Sequence, residues 1–159
     1  METTKTSTET KATKHAGQSA NAGTRLIKTF NQLTADNVDL VDDLYAETLH
    51  FRDPISELHT RNEVKKHLSS QYKNVISCQF EEKSNVHSGH QTTIEWKMTL
   101  RHKYLNLGKP IELRGASVLT EDASSKLITH QHDYFDLSAF ALKSIPGVQT
   151  LYKTLKSMQ

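Results

Sequence analysis

The sequence predicts an α+β domain, and three observations carry that reading. Apolar residues at helical spacing occupy most of the first half of the chain. Strict strand alternation fills the second half, and an amphipathic segment follows it. Helices segregated from a run of strands indicate α+β rather than alternating α/β architecture. With 159 residues the chain can build one core and is too short for two ordinary domains.

Residues 1–23 contain no Leu, Ile, Val, Phe, Tyr or Trp. Such a segment buries too little apolar surface to offset its ordering entropy, so it is expected to be a disordered polar tail, with the domain spanning 24–159. From Thr24, a candidate cap, Leu26, Ile27, Phe30 and Leu33 recur at helical spacing. "TADN" breaks that helix. Val38, Val41, Leu44 and Tyr45 then form a second stripe, read as a second helix opened by Asp36 or Asn37. "LHFRDP" alternates as a short strand that Pro54 ends. "TRNE" at 60–63 fits a capping box and opens a third helix with Val64, Leu68 and Tyr72 on one face.

The strands follow. "ISCQFEE" puts Ile76, Cys78 and Phe80 on one side. "TTIEWKMTLRH" puts Ile94, Trp96, Met98 and Leu100 on one face, with Thr93, Glu95, Lys97, Thr99 and Arg101 on the other. "IELRGASVLT" aligns Ile111, Leu113, Gly115, Ser117 and Leu119, and "KLITHQHDYFD" is the last strand. Asp136 is placed to cap a short helix, "LSAFALKSI". After a Pro146–Gly147 break, Val148, Leu151, Tyr152, Leu155 and Met158 form one more stripe. A curved sheet wrapped around a helix would enclose a pocket.

Several function classes are excluded or disfavoured. A net charge of +2 without a clustered basic face gives no footprint for nucleic acid. Cys78 is the single cysteine, so neither an intrachain disulfide nor a cysteine-built metal site can form. No apolar run approaches the roughly 20 residues of a membrane span, and no apolar leader is visible at the N-terminus. A cytoplasmic location is the expectation. His130-x-His132 and the pair His87 and His90 lack a third convergent ligand, so no metal is expected.

The element order, with "FRDP" before the third helix and "GASVLTE…ITHQHDYFDLSAF" at the last strands, resembles the NTF2-like superfamily over roughly residues 24–140. It is similar in particular to the SnoaL-like branch, with its ketosteroid isomerases, polyketide cyclases and limonene-type epoxide hydrolases. The resemblance implies a cone of curved antiparallel sheet closed by helices. It also implies an internal site, no cofactor, and frequent homodimerisation through the sheet. Asp53 matches the strand-end Asp-Pro base of the isomerases. Asp133 matches the last-strand acid/base of the epoxide hydrolases. The isomerases' oxyanion donors fall near Phe30 and Ser117, and the hydrolases' Arg-x-Asp pair falls at Trp96 and Met98. Their water-holding residues fall at Phe51 and Asp53. Neither reaction therefore transfers whole.

What remains is a pair of carboxylates, Asp53 and Asp133, in a pocket expected to be lined by Phe30, Tyr45, Phe51, Trp96, Met98 and Ser117. A carboxyl in apolar surroundings has its pKa raised, and a neighbouring carboxylate raises it further. Such a pair can shuttle protons in the isomerisation, dehydration or cyclisation of a hydrophobic small molecule. The alternative is a non-catalytic cone that binds a ligand or a protein. Asp53 before Pro54 is also a common turn residue, and alternation alone does not decide which way Asp133 points.

Overall fold

The computed structural model describes residues 20–145 and Ser157. The proposed C-terminal stripe and most of the expected tail lie outside the described residues. Helix α1 spans Ala22–Phe30 and leads through a 3-10 turn, Val38–Asp43, into strand β1, Tyr45–Arg52. Strand β2, Glu57–Thr60, runs straight into helix α2, Arg61–Tyr72. Four long strands follow: β3 (Val75–Ser88), β4 (Gln91–His102), β5 (Ile111–Glu121) and β6 (Ile128–Phe135). Helix α3, Leu137–Ser144, comes last.

The six strands form one open, curved sheet in the order β2-β1-β6-β5-β4-β3, with β1 parallel to β6 and all other pairs antiparallel. The core lies between its inner face and the helices. Leu26, Val41, Leu44, Tyr45, Val64, Leu68, Ile94, Leu113, Leu119 and Ile128 are buried there.

Four sequence expectations change. Helix α1 begins at Ala22, inside the stretch read as tail, and its cap is Asn21 rather than Thr24. Asn21 Oδ1 accepts from Thr24 N at 3.0 Å, while Asn21 Nδ2 donates to Asn85 of β3. The second helix is instead a 3-10 turn followed by a strand. Val38, Val41 and Leu44 repeat at intervals of three, the 3-10 period, and the aromatic Tyr45 opens β1. Strand β2 was not anticipated. In β3 the register shifts between Val75 and Ser77, so Val75 turns inward and Ile76 is about half exposed.

The capping box of α2 is formed as expected. Thr60 Oγ1 accepts from Glu63 N at 3.2 Å, and Glu63 Oε2 accepts from Thr60 N at 2.9 Å. Asp136 caps α3 through Ala139 N at 2.9 Å. The faces predicted for β4 and β5 hold, with Ile94, Trp96, Leu113, Ser117 and Leu119 buried. Among the described residues no helix is long and apolar enough to cross a membrane.

Candidate functional site

An internal cavity of about 330 Å³ opens between the sheet and helices α1, α2 and α3. Its wall is overwhelmingly apolar. Phe30, Phe80, Trp96, Met98, Leu113 and Phe135 form much of it. The aromatic rings meet edge to face, Phe30 with Phe80 at 5.8 Å and Phe80 with Trp96 at 5.5 Å between centroids. Polar groups enter at few points: Ser117, Gln131 and Asp133 from the sheet, Asp53 from the end of β1, and His67 and Gln71 from α2.

Asp133 is held by two converging arms. In one, Trp96 Nε1 donates to Ser117 Oγ at 3.0 Å, and Ser117 Oγ donates to Asp133 Oδ1 at 2.6 Å. The serine has one proton to give, and the indole's contribution directs that proton to the carboxylate. In the other, Tyr45 OH donates to Gln131 Oε1 at 2.7 Å, which turns the amide so that Nε2 faces Asp133 Oδ1 and Oδ2 at 2.9 and 3.0 Å.

The register that builds the first arm is legible in β5. Trp96 lies opposite Gly115, where a Cβ would stand 2.5 Å from the indole ring. Only a glycine lets the indole lie across β5 and reach Ser117 two residues on.

Burial in this apolar setting pushes the Asp133 carboxyl up to about 6. The hydrogen bonds from Ser117 and Gln131 oppose that rise without cancelling it, and the nearby negative charge of Asp53 adds to it. Asp133 and Asp53 also border a second, more open hollow beside Arg52, His132 and Tyr134. Burial, reinforced by the charge of Asp133, keeps the Tyr45 phenol protonated and a donor. Cys78 lines the cavity, but burial pushes its thiol up to about 11, so it is no nucleophile near neutrality.

Asp53 serves as the turn residue and also borders the cavity. Its Oδ1 accepts from Ile55 N at 2.8 Å and Ser56 N at 2.6 Å, closing the turn between β1 and β2 that Pro54 pre-bends. Its Oδ2 points toward His67, with Nε2 at 3.9 Å.

Of the residues expected at the site, Phe30, Phe51, Trp96, Met98, Ser117, Asp53 and Asp133 all border the cavity. Tyr45 does not. It is fully buried behind Gln131, because the strand begun at Tyr45 packs it into the core. The sequence reading also passed over Gln131 and His67. Gln131 was identifiable as the neighbour of Asp133 on one face of β6. His67 lies one position before Leu68 in α2, on a helix whose buried face was marked only by Val64, Leu68 and Tyr72. Among the described residues no group of three or more His, Cys, Asp or Glu is placed to hold a metal ion.

A curved sheet closed by helices, with an apolar cavity and a carboxyl at its inner wall, defines an NTF2-like α+β cone. Residues 25–128 match the SnoaL-like domain family, and the chain belongs to it. Solved structures share the fold. A hypothetical protein of Catenulispora acidiphila with a ketosteroid isomerase-like fold, in complex with trimethylamine, matches with a TM-score of 0.68 at 16% identity. That match covers 80% of this chain and 94% of the other. A candidate SnoaL-like polyketide cyclase of Shewanella denitrificans matches at 0.65 with 16% identity, covering 77% and 93%. An NTF2-like protein of Exiguobacterium, of unknown function, matches at 0.60 with 14% identity, covering 74% and 99%. Among curated proteins, none matches the sequence.

Proposed function

We propose that this protein binds a hydrophobic small molecule in the internal cavity and acts on it by cofactor-free acid/base chemistry, as an isomerase, dehydratase or cyclase. The observation that carries the reading is Asp133: a carboxyl pushed up to about 6, aimed by Ser117 and Gln131, in a largely apolar wall. Near neutrality such a group is mostly ionised yet easily reprotonated, the condition for a general base that must also return its proton. It would remove a proton from the carbon next to a substrate carbonyl, the C–H electron pair moving into an enolate. The same proton would then go back to another carbon or to a leaving oxygen. A solved structure of the same fold, named as a candidate isomerase of the SnoaL-like family, is compatible with this class.

The second reading is a non-catalytic binding cone. It is favoured by Asp53, whose Oδ1 is spent on the turn, so the carboxylate pair is less symmetrical than a two-acid shuttle requires. The same proposal includes a homodimer through the outer sheet face, where Val86, Thr93, Val118 and His132 form a row across four strands. Val86 and Val118 are exposed there.

Native mass spectrometry of freshly purified protein, followed by denaturation and extraction, would identify a co-purified apolar compound. Solvent deuterium exchange into that compound should occur with the wild type and fall at least a hundredfold with Asp133→Asn. Equal exchange in both proteins would leave the binding reading and remove the catalytic one.

A further inference from the structure

The cavity has a second polar pole that the acid/base reading does not use. His67 Nε2 is buried, and among the described residues it has no hydrogen-bond partner. Buried polar atoms without partners are rare in folded proteins, and each calls for an explanation. The ring borders the cavity beside Phe51, at 6.2 Å between centroids, and Asp53 Oδ2 stands 3.9 Å away, too far for a hydrogen bond. Asp53 is held in the turn through Oδ1, which accepts from the backbone N–H groups of Ile55 and Ser56.

We propose that His67 is a ligand-anchoring residue whose Nε2 hydrogen-bonds an oxygen of the bound molecule from the α2 side, while Asp133 engages a second oxygen from the sheet side. The inference rests on the reading that the cavity holds a small molecule, and it names the class. The ligand is a compact apolar body carrying two oxygen functions, hydroxyl or carbonyl, one for each pole. The chemistry of the wall supports this. A purely apolar ligand would leave His67 Nε2 without a partner, whereas one with an oxygen at each pole would give that atom a partner and add a contact to Asp133 beside those from Ser117 and Gln131. Asp53 Oδ2 flanks the same pole of the cavity.

The test uses naphthalene, 2-naphthol and 2,6-dihydroxynaphthalene as probes with the full chain, followed by NMR titration. The diol should bind more tightly than naphthalene, and His67→Phe should cut that preference roughly threefold to tenfold, the range of one hydrogen bond. His67→Gln, which keeps a polar group there, should restore part of it. In the wild type, the ring nitrogen resonance of His67 should move with the diol and stay fixed with naphthalene. If the probes bind but His67→Phe leaves the preference intact and the resonance does not move, the anchoring role is wrong and the cavity reading survives. If no probe binds, in a wild type whose spectrum shows it folded, the cavity reading fails and this inference with it.

Discussion

Replacing Asp133 with asparagine should stabilise the protein above pH 7 and destabilise it near pH 4. An ordinary aspartate titrates at 3.8, and Asp133 at about 6, so its folded form holds the proton more tightly than its unfolded form. Stability contributed by that proton is fully present below about pH 4 and is lost as the pH rises through 6. At 1.36 kcal/mol per pKa unit, the ionised carboxylate costs the folded state about 3 kcal/mol at pH 8. Asparagine removes this charge but keeps the shape. It accepts from Ser117 through its one oxygen and presents its amide to Gln131 Nε2, setting donor against donor at a cost of about 1–2 kcal/mol. The net expectation is a gain of about 1–2 kcal/mol at pH 8 that reverses sign by pH 4. Urea unfolding of both proteins at pH 8, 6, 5 and 4 measures the difference, in which carboxylates common to both largely cancel. A difference that stays constant across this range would refute the raised carboxyl and the proton chemistry argued from it.

Ser117→Ala removes a donor to the Asp133 carboxylate, so Asp133 should titrate above 6, as followed by carboxyl carbon NMR; an unchanged or lower value would contradict the hydrogen-bonded arm. Gly115→Ala would place a Cβ 2.5 Å from the Trp96 ring and 2.7 Å from the backbone oxygen of Tyr134, which cannot step aside. It should cost about 1–3 kcal/mol and shift the emission of the sole tryptophan, both read in one denaturation series. Thr60→Ala, which opens the capping box of α2, should cost about 1 kcal/mol in the same assay.

Much of this arrangement was legible in the sequence because period carries burial. The alternation of β4 and β5 alone puts Ile94, Trp96 and Met98 on one face of β4, and Leu113 and Ser117 on one face of β5. The capping box fixed the start of α2 to the residue. What period could not resolve was any position where the local repeat is ambiguous. The spacing 38, 41, 44 suits a helix and a 3-10 turn alike, and that choice decided whether Tyr45 was a helix residue near the pocket or a strand residue behind Gln131. A bulge inverts a face without any mark in composition, as Val75 and Ile76 show. His67 escaped because a histidine on a largely polar helix reads as solvated. Only the packing of α2 over the end of β1 brings it to Asp53.

The departures from the relatives' motifs take on a different meaning once the contacts are known. Ser117 stands near the position where the resemblance places a second carboxylic acid of the isomerases, and it offers no acid there. In the folded chain Ser117 instead donates to Asp133, and Trp96, at a position of the hydrolases' charged pair, donates to Ser117. Two positions that in relatives would address the substrate are turned here toward one carboxyl. Phe30 and Met98, at two other such positions, contribute only apolar wall. On the proposed reading, this concentrates the proton chemistry on one group, Asp133, set in a largely apolar wall. If the cavity holds a ligand as proposed, its second polar contact must come from elsewhere on the wall, and among the cavity's described side chains the buried atom without a hydrogen-bond partner is Nε2 of His67.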